Sequence, residues 1–214
     1  GEIPIACTDT QSPFDTATLI WEVNSFFTAM YTAPEVVHHV LNLITECVIE
    51  FTQRQLDLIG AAAARPGHIM LSATGCPGMS ISDDNIVMVS PETYAEFSVP
   101  YNERIAAAFG GLAVHSCGNF ERQLPALLKT KGLLLVDGAF SPPMDPNPNL
   151  SYELFRDAMK GTGIILQPRC HLDWQDVVTR LRHPALKLAP VVPPPANGES
   201  ADRNMRALDT LFSC

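Results

Sequence analysis

The sequence is short of positive charge. Its 214 residues include 14 Lys and Arg against 23 Asp and Glu, a formal net charge of −9. No Lys/Arg cluster occurs, which argues against nucleic acid or an anionic membrane as the main partner. No run of 18 or more apolar residues occurs either, so we expect no transmembrane segment. The opening residues GEIPIACTDT lack the basic start and cleavage site of a secretory signal.

Closely paired cysteines are also absent. The six cysteines are spread over the whole chain, a pattern that favours free thiols over a disulfide framework. Free thiols are typical of a reducing compartment, so we expect a cytoplasmic protein. For any single cysteine, burial as a small apolar side chain is the plainer interpretation.

Short apolar runs alternate with helical patterns along the chain. The runs predict six strands, at 3–7, 68–73, 112–117, 133–140, 164–168 and 186–192. The helical patterns fall at 34–59, 90–110, 120–131, 151–160, 173–182 and near 200–212. In the second of these helices, Ser90 is a suitable N-cap, Pro91 suits the first turn, and Pro100 should bend or break the helix.

This alternation predicts an α/β fold with a parallel sheet. Two layouts fit, an open doubly wound sheet and a (β/α)8 barrel. The Gly-rich dinucleotide fingerprint is missing from the first strand–helix turn, which weakens a dinucleotide-binding sheet. A full barrel takes ~250 residues, so about six β/α units resemble a barrel without its opening units. We expect residues 1–214 to form a single domain that is incomplete at its N-terminus.

Both layouts place the active site at the carboxyl ends of the strands. Reactive side chains recur at the predicted strand ends, namely Cys7, Cys76, His115, Cys117, Asp137, Cys170 and His171. His115 and Cys117 are two positions apart, so on a strand they point to the same side. An imidazole and a thiolate both suit Zn²⁺. The competing interpretation is a packed cysteine beside a histidine bonded to the backbone.

Acidic residues follow two of the predicted strands. Asp83 and Asp84 suit a general acid, a metal ligand or a partner for a substrate amine, and equally a capping cluster before a helix. Asp9, Asp15 and Glu22 surround the exit of the first predicted strand and have the same ambiguity.

Four segments together resemble the uroporphyrinogen decarboxylase superfamily. IPIACTDTQSPFDTATLIWE resembles the family strand that ends in a Gly/Pro-Phe turn, and SISDDNIVMVSPETYAEFSVPYNERI resembles its Asp-containing loop and Ser-Pro-Glu helix. VHSCGNFERQLPAL resembles its His-x-Cys-Gly-Asn strand end, and ADRNMRALDTL resembles its closing helix. The order and spacing of the segments carry the resemblance from residue 3 to 212.

The resemblance implies a (β/α)8 TIM barrel and one of two chemistries. One is cofactor-free decarboxylation of uroporphyrinogen, and the other is transfer of a methyl group from a corrinoid to a thiol with zinc held by His-x-Cys and a distant cysteine. The chain departs from both patterns. Leu19 stands where the decarboxylases carry a tyrosine, and the loop VVPPPANG has neither their histidine nor the third zinc ligand of the methyltransferases.

We therefore predict a zinc-dependent, corrinoid-linked methyltransferase. The resemblance assigns His115 and Cys117 to zinc, while Cys170 is chosen as third ligand from its predicted rim position, with Cys76 and His171 as alternatives. Asp83 and Asp84 are predicted to be catalytic, and Asp9, Phe14 and Asp137 to bind substrate. Expected partners are a corrinoid-carrying protein and a second copy of the chain. The alternatives are a tetrapyrrole decarboxylase and a non-catalytic remnant that binds a ligand.

Overall fold

Three helices open the chain in the computed structural model, which describes residues 3–68, 70–193 and Asp202. They are α1 (Pro13–Ile20), α2 (Val23–Thr32) and α3 (Pro34–Ile59). Ser12 caps α1 by accepting a hydrogen bond from the Asp15 backbone N–H. The predicted helix at 34–59 is confirmed. It ends at Gly60, whose φ of 64° is easily adopted only by glycine.

Among the residues that the structure describes, five parallel strands form the central sheet and lie side by side in chain order. Their bounds are Met79–Ser82 (β3), Leu112–Ser116 (β4), Leu133–Ala139 (β5), Ile165–Arg169 (β6) and Lys187–Leu188 (β7). The last four confirm predicted strands. The parallel sheet confirms the predicted α/β class. Within the described residues the sheet is open and does not close into a barrel.

The two N-terminal strand predictions are wrong. Residues 3–7 make only an isolated bridge between Ile5 and Ala63, and Ile3 is 82% exposed. Of residues 68–73, Met70 and Leu71 lie over the sheet. The described residues form a short antiparallel pair there, between β1 (Ala64–Arg65) and β2 (Ala73–Thr74). A short apolar run can be buried as a covering loop as well as in a strand, so composition alone did not separate the two.

Strand β3 was missed because its sequence, MSIS, alternates instead of running apolar. Met79 and Ile81 join the helix-facing core, whereas Ser80 and Ser82 lie on the other side of the strand. The segment therefore reads as part of a Gly/Ser loop. The part of the chain that the structure describes consequently has five parallel strands, where the sequence predicts six.

The remaining helices cover one side of the sheet. They are α4 (Pro91–Phe97), α5 (Val99–Phe109), α6 (Leu124–Leu127), α7 (Tyr152–Met159) and α8 (Trp174–Leu181). The break between α4 and α5 falls at Ser98, as Pro100 predicts. Helix α6 is much shorter than the predicted 120–131. The predicted helix near 200–212 lies outside the described residues, apart from Asp202.

Alternation along the strands separates two faces of the sheet. Val114, Val136 and Leu166 pack against the helices in the main core. Ala113 and Leu135 point the other way and pack under Met70. We call this second side the inner face. None of the described helices is long and apolar enough to cross a membrane.

Candidate functional site

One row of polar residues crosses the inner face near the carboxyl ends of the strands. The parallel register aligns Ser82 with His115, His115 with Asp137, and Asp137 with Gln167. All four side chains share the inner face because residues two apart on a strand point the same way. The strand-end argument from the sequence therefore locates His115 and Asp137 correctly at one edge of the sheet.

Asp137 is the centre of this row. Its side chain is fully buried, and its Oδ1 lies 2.5 Å from His115 Nδ1. Gln167 Nε2 donates to Asp137 Oδ2 at 2.8 Å. Arg169 Nε lies 3.0 Å from Oδ1 and makes an ion pair without hydrogen-bond geometry. The carboxylate thus fixes the His115 ring and leaves Nε2 facing away from it.

His115 carries a proton readily in this setting. Burial, the strongest influence, lowers the pKa of His115, but hydrogen bonds to Asp137 and Cys117 and the Asp137 charge raise it to about 9. The Arg169 charge works against that rise. The metal-free site therefore holds a charged imidazole against a buried carboxylate at neutral pH.

Cys117 and Asp84 complete a cluster around His115 Nε2. The Cys117 Sγ lies 3.3 Å from this nitrogen and Asp84 Oδ1 lies 3.7 Å from it. Asp84 Oδ1 also accepts the Cys117 backbone N–H at 2.6 Å. One potential ligand atom from each of the three residues lies within 4.8 Å of the others. Imidazole nitrogen, thiolate and carboxylate oxygen are the donors that zinc takes in proteins.

The loop after β4 is held by residues that the sequence interpretation left without a role. The Gly118 backbone N–H donates to Asp145 Oδ2 at 2.9 Å, and the Phe120 N–H donates to Asn149 Oδ1 at 3.0 Å. Asn149 is fully buried and donates to the Ala139 carbonyl. Asp145 lies in the loop AFSPPMDPNP (139–148), whose sequence indicates only turns, and Asn149 follows that loop directly. Their function as anchors depends on tertiary contacts.

Cys170 does not join the cluster. It follows β6, is buried, and its thiol donates to the Pro168 carbonyl at 3.5 Å. Burial, helped by the Asp173 charge, raises the pKa of Cys170 to about 12. A thiol held in the protonated form by its surroundings is a poor metal ligand. The structure thus brings Asp84, and not Cys170, beside His115 and Cys117.

The two alternative third ligands are also placed elsewhere. Cys76 precedes β3, so it lies at the amino end of the sheet and not on the edge where His115 stands. The prediction that Cys76 lies on the rim is therefore wrong, because the strand expected before it is a loop. The His171 backbone N–H donates to Ser141 Oγ, and this residue is not part of the three-residue cluster.

Asp83 points away from its neighbour Asp84. Its fully buried carboxylate accepts hydrogen bonds from four side chains, those of Ser12, Tyr94, Ser98 and Asn102. Burial raises the pKa of Asp83, partly offset by these bonds. The carboxylate joins α1, α4 and α5 to the end of β3. The structure therefore gives Asp83 a structural position and separates it from the cluster.

Of the other two predicted substrate residues, Phe14 lies in the core and Asp9 lies beside the polar row. Phe14 is fully buried and meets Phe26 edge-on at 5.5 Å between ring centroids, so it is a core residue. Asp9 lies beside the polar row, accepting from Ser82 Oγ at 3.2 Å. His68 Nδ1 lies 3.5 Å from Asp9 Oδ1, and the His68 ring is 6.1 Å from the His115 ring.

The sequence interpretation missed His68, Gln167 and Arg169. Gln167 and Arg169 are two positions apart on β6, so they point to the same side of the strand, and this spacing was the signal that could have found them.

Asp15 gives the protein a predictable pH dependence of stability. Its carboxylate accepts the Asp84 and Asn85 backbone N–H groups, and burial followed by the nearby Asp83 charge raises its pKa from 3.8 to about 7. Unfolding between these pH values releases a proton, so this contribution is complete below about pH 4 and is lost as the pH rises to about 7.

We expect the free energy of unfolding, measured with urea at pH 5 to 8, to fall with rising pH. Asp15→Asn should remove up to about 1.4 kcal/mol per pH unit of that slope. Some slope should remain, because the raised pKa of Asp83 acts in the same direction. An unchanged slope in the variant would contradict the assignment to Asp15.

The fold and the site together define the class of this protein. It is an α/β protein whose described residues form an open parallel sheet, with a polar cluster at the carboxyl ends of the strands, where parallel α/β folds carry their active sites. The sequence model of the family described as uroporphyrinogen decarboxylase matches residues 2–66. This match confirms the resemblance of the chain to the uroporphyrinogen decarboxylase superfamily.

Two curated relatives support the same relationship. A protein named uroporphyrinogen decarboxylase from Xanthomonas axonopodis pv. citri is 33% identical over 76 residues, covering 36% of this chain and 17% of the relative. A protein of the same name from Aromatoleum aromaticum is 28% identical over 105 residues, covering 49% of this chain and 23% of the relative. The matched part thus spans about a fifth of each relative's length.

Proposed function

We propose that Asp84, His115 and Cys117 hold a zinc ion, and that the site transfers a methyl group from a protein-bound corrinoid to a thiol. One observation carries the proposal. Three side chains of zinc-binding type converge within 4.8 Å, and a buried carboxylate is bonded to the far nitrogen of the histidine. Zinc-bound histidines usually donate that second ring N–H to a carboxylate or carbonyl.

The donor set fits zinc better than it fits the harder cations. Mg²⁺ and Ca²⁺ prefer oxygen ligands, whereas one sulfur and one imidazole nitrogen favour a borderline-soft ion. Three protein ligands also suit a catalytic site, because a fourth position stays open for a substrate. Bound there, zinc would lower the pKa of a substrate thiol so that the thiolate is available at neutral pH.

The surrounding residues have distinct tasks in this proposal. Asp137 holds the His115 ring in one tautomer, with Gln167 and Arg169 holding Asp137. The Cys117 backbone N–H fixes Asp84 Oδ1 beside His115. Asp9 and His68 border the row on the β3 side, where they can position the incoming thiol. We place the activity in the cytoplasm because a free substrate thiol needs a reducing compartment.

Metal analysis of the purified chain tests the zinc site. We expect about one equivalent of zinc in the wild type, falling to about a tenth or less in Cys117→Ser and Asp84→Ala. Cys76→Ser is the matched control, since this exposed thiol lies at the opposite end of the sheet. Zinc near zero in the wild type, or equal losses in the control, would contradict the site.

Methyl transfer from methylcobalamin to a small thiol tests the reaction itself. In this reaction the S–C bond forms as the Co–C bond breaks, the corrinoid leaves as cob(I)alamin, and the thiol proton passes to solvent. Activity should follow zinc content through the same variants, because zinc held by these residues would supply the Lewis acid that lowers the pKa of the thiol. A folded, zinc-loaded protein that transfers no methyl group would separate the metal site from the proposed reaction.

Cofactor-free decarboxylation of a tetrapyrrole is the second candidate. The names of both relatives favour it. The position of Asp83 does not, because its carboxylate is buried among four protein donors and away from the inner face. Loss of carboxyl groups from uroporphyrinogen by metal-free protein, undiminished in Cys117→Ser, would establish this candidate. Negative results in both assays would leave a non-catalytic, ligand-binding protein.

A further inference from the structure

An apolar cavity lies on the inner face of the sheet, at the amino ends of the strands. Its volume is about 440 Å³, and most of its wall is apolar, with side chains that include Pro66, Leu71, Pro77, Leu134, Leu135 and Ile165. This volume is in the range of sites that hold small organic molecules. We call it the amino-end cavity.

The floor of the amino-end cavity is a row of residues that runs parallel to the polar row. The strand register aligns Leu135 with Ile165, and Ile165 with Lys187. Leu135 and Ile165 each lie two positions before a member of the polar row, so both rows share the inner face. Two residues of a strand span ~6.6 Å, which separates the rows along the strands. The inner face thus has a polar row near its carboxyl end and an apolar row, ending in a lysine, near its amino end.

A bulge in β5 adds a second leucine to the wall. Consecutive residues of β4 pair with Leu133 and Leu135, so Leu134 between them is the extra residue. A bulge re-aims the side chain of the residue that it inserts. The Leu134 side chain lies so close to Gly111 that a Cβ at this glycine would clash with it. The glycine therefore gives Leu134 its place, and two consecutive leucines line the cavity.

The segment between β1 and β2 forms the opposite wall. Met70 packs on Ala113 and Leu135 of the inner face. The Leu71 backbone N–H donates to Gln167 Oε1 at 2.7 Å, which fixes the backbone of this segment to the sheet. The Leu71 side chain is nevertheless 59% exposed. The cavity therefore has an apolar side chain that the fold holds in place but does not cover.

The charged groups at the amino-end cavity are both cations. Arg65 and Lys187 line it, and none of the described lining residues is acidic. Arg65 donates to the Gly78 and Phe109 carbonyls, which fixes the guanidinium without neutralising its charge. Within the part of the chain that the structure describes, neither cation forms an ion pair. In a chain of net charge −9, two such cations beside an apolar wall favour a ligand with an anionic group.

We propose that the amino-end cavity binds an apolar monocarboxylate, of which a fatty acid of medium length is the simplest example. The hydrocarbon chain lies against Leu71, Leu134 and Ile165. The flexible Lys187 ammonium pairs with the carboxylate, and the fixed charge of Arg65 adds to the attraction. The site uses none of the three proposed zinc ligands, so it does not depend on the proposed function.

Titration calorimetry with octanoate tests the binding. We expect one octanoate per chain, and acetate should bind at least about tenfold more weakly, because it has almost no apolar surface to bury. Octanol has the same hydrocarbon chain without the charge. It should bind about two- to fivefold more weakly than octanoate at low salt, the range of one exposed ion pair. High salt should remove that difference.

Two substitutions at exposed positions separate the charge from the apolar wall. Lys187→Gln should weaken octanoate binding about two- to fivefold and leave octanol binding unchanged. Leu71→Ala should weaken the binding of both ligands about five- to tenfold through loss of apolar contact. Lys131→Gln is the matched control and should change neither, since Lys131 is 88% exposed and faces Glu103 of α5.

Alkylation of Cys76 tests where the ligand lies. This exposed free thiol lines the amino-end cavity. Bound octanoate should therefore slow its reaction with iodoacetamide, in which the sulfur displaces iodide. Cys47 is the internal control, because it is an exposed free cysteine on α3. Mass spectrometry of the alkylated peptides follows both thiols in one sample, and the rate at Cys47 should not change.

Each contrary outcome overturns the proposal. Absence of saturable octanoate binding does so directly, and octanol that binds as tightly as octanoate at low salt removes the role of the charge. Octanoate binding that either Lys187→Gln or Leu71→Ala leaves unchanged, or that leaves the rate at Cys76 unchanged, places the ligand elsewhere. Cys117→Ser should bind octanoate as the wild type does, so failure of the zinc site would not affect the result.

Discussion

Asp137→Ala is expected to destabilise the protein by about 3 to 5 kcal/mol, the usual cost of removing one partner of a buried ion pair. The substitution leaves the Arg169 guanidinium and the His115 imidazole without their shared carboxylate in the interior. The Gln167 amide loses its acceptor as well. Urea unfolding at pH 7 measures the loss.

Asp137→Asn separates the effect on the metal from the effect on the fold. The amide keeps the volume of the carboxylate, but it has no charge and only one acceptor oxygen for His115, Gln167 and Arg169. We expect a smaller loss of stability and a ~10- to 100-fold weaker zinc affinity, as is typical when the carboxylate behind a zinc-bound histidine is removed. Zinc affinity is measured by competition with a chromogenic chelator.

Asp176→Asn is the control, because Asp176 is exposed on α8 and distant in sequence from the cluster. It should leave zinc affinity unchanged and cost less than about 1 kcal/mol of stability, since its carboxylate lies in the first turn of α8. Wild-type zinc affinity in Asp137→Asn would show that Asp137 does not orient a metal ligand. Wild-type stability in Asp137→Ala would contradict the buried ion pair itself.

Asp83→Ala should cost about 3 to 5 kcal/mol of stability, because four buried donors lose one acceptor and each unsatisfied group costs about 1 to 3 kcal/mol before relaxation. The donors are Ser12 at the cap of α1, Tyr94 of α4, Ser98 between α4 and α5, and Asn102 of α5. Loss of their acceptor therefore loosens the contact of these helices with β3. The folded fraction should still bind zinc at the wild-type stoichiometry.

Asp84→Ala is the reciprocal variant on the adjacent residue. Its side chain is 40% exposed and accepts one backbone hydrogen bond, so we expect a stability loss of about 1 kcal/mol. Its zinc content should fall instead. If both substitutions reduced zinc without affecting stability, Asp83 would belong to the site as the sequence first predicted.

These two aspartates show why the site could be predicted only in part. The chain order Asp83–Asp84 after a strand indicates carboxylates near the active edge, and Asp84 does lie there. Neighbouring residues point in different directions, however, and the direction of each depends on the register of β3 against β4. Because β3 alternates serine with apolar residues, the sequence did not reveal the strand that sets this register.

Cys170 shows the same limit of prediction from the sequence, because its position was predicted correctly and its contacts were not. Its place after a strand was correct, and the strand end is on the expected edge of the sheet. Whether a thiol at such a position meets His115 depends on a local turn, and here the turn buries it against the Pro168 carbonyl. No spacing rule along the chain gives the direction of a side chain beyond the end of its strand.

The amino-acid sequence predicted the α/β class, the long helix α3 with its end at Gly60, the shared side of His115 and Cys117, and four of the five parallel strands that the described residues form. These features depend on periodicity, helix termini and the alternation of side chains, all of which act over a few residues. Tertiary contacts were needed to bring Asp84 to the pair, to place Asp137 behind it, and to bury Asp83 elsewhere. Those positions are set by pairing between segments tens of residues apart, through hydrogen bonds and packing that no short stretch of chain contains.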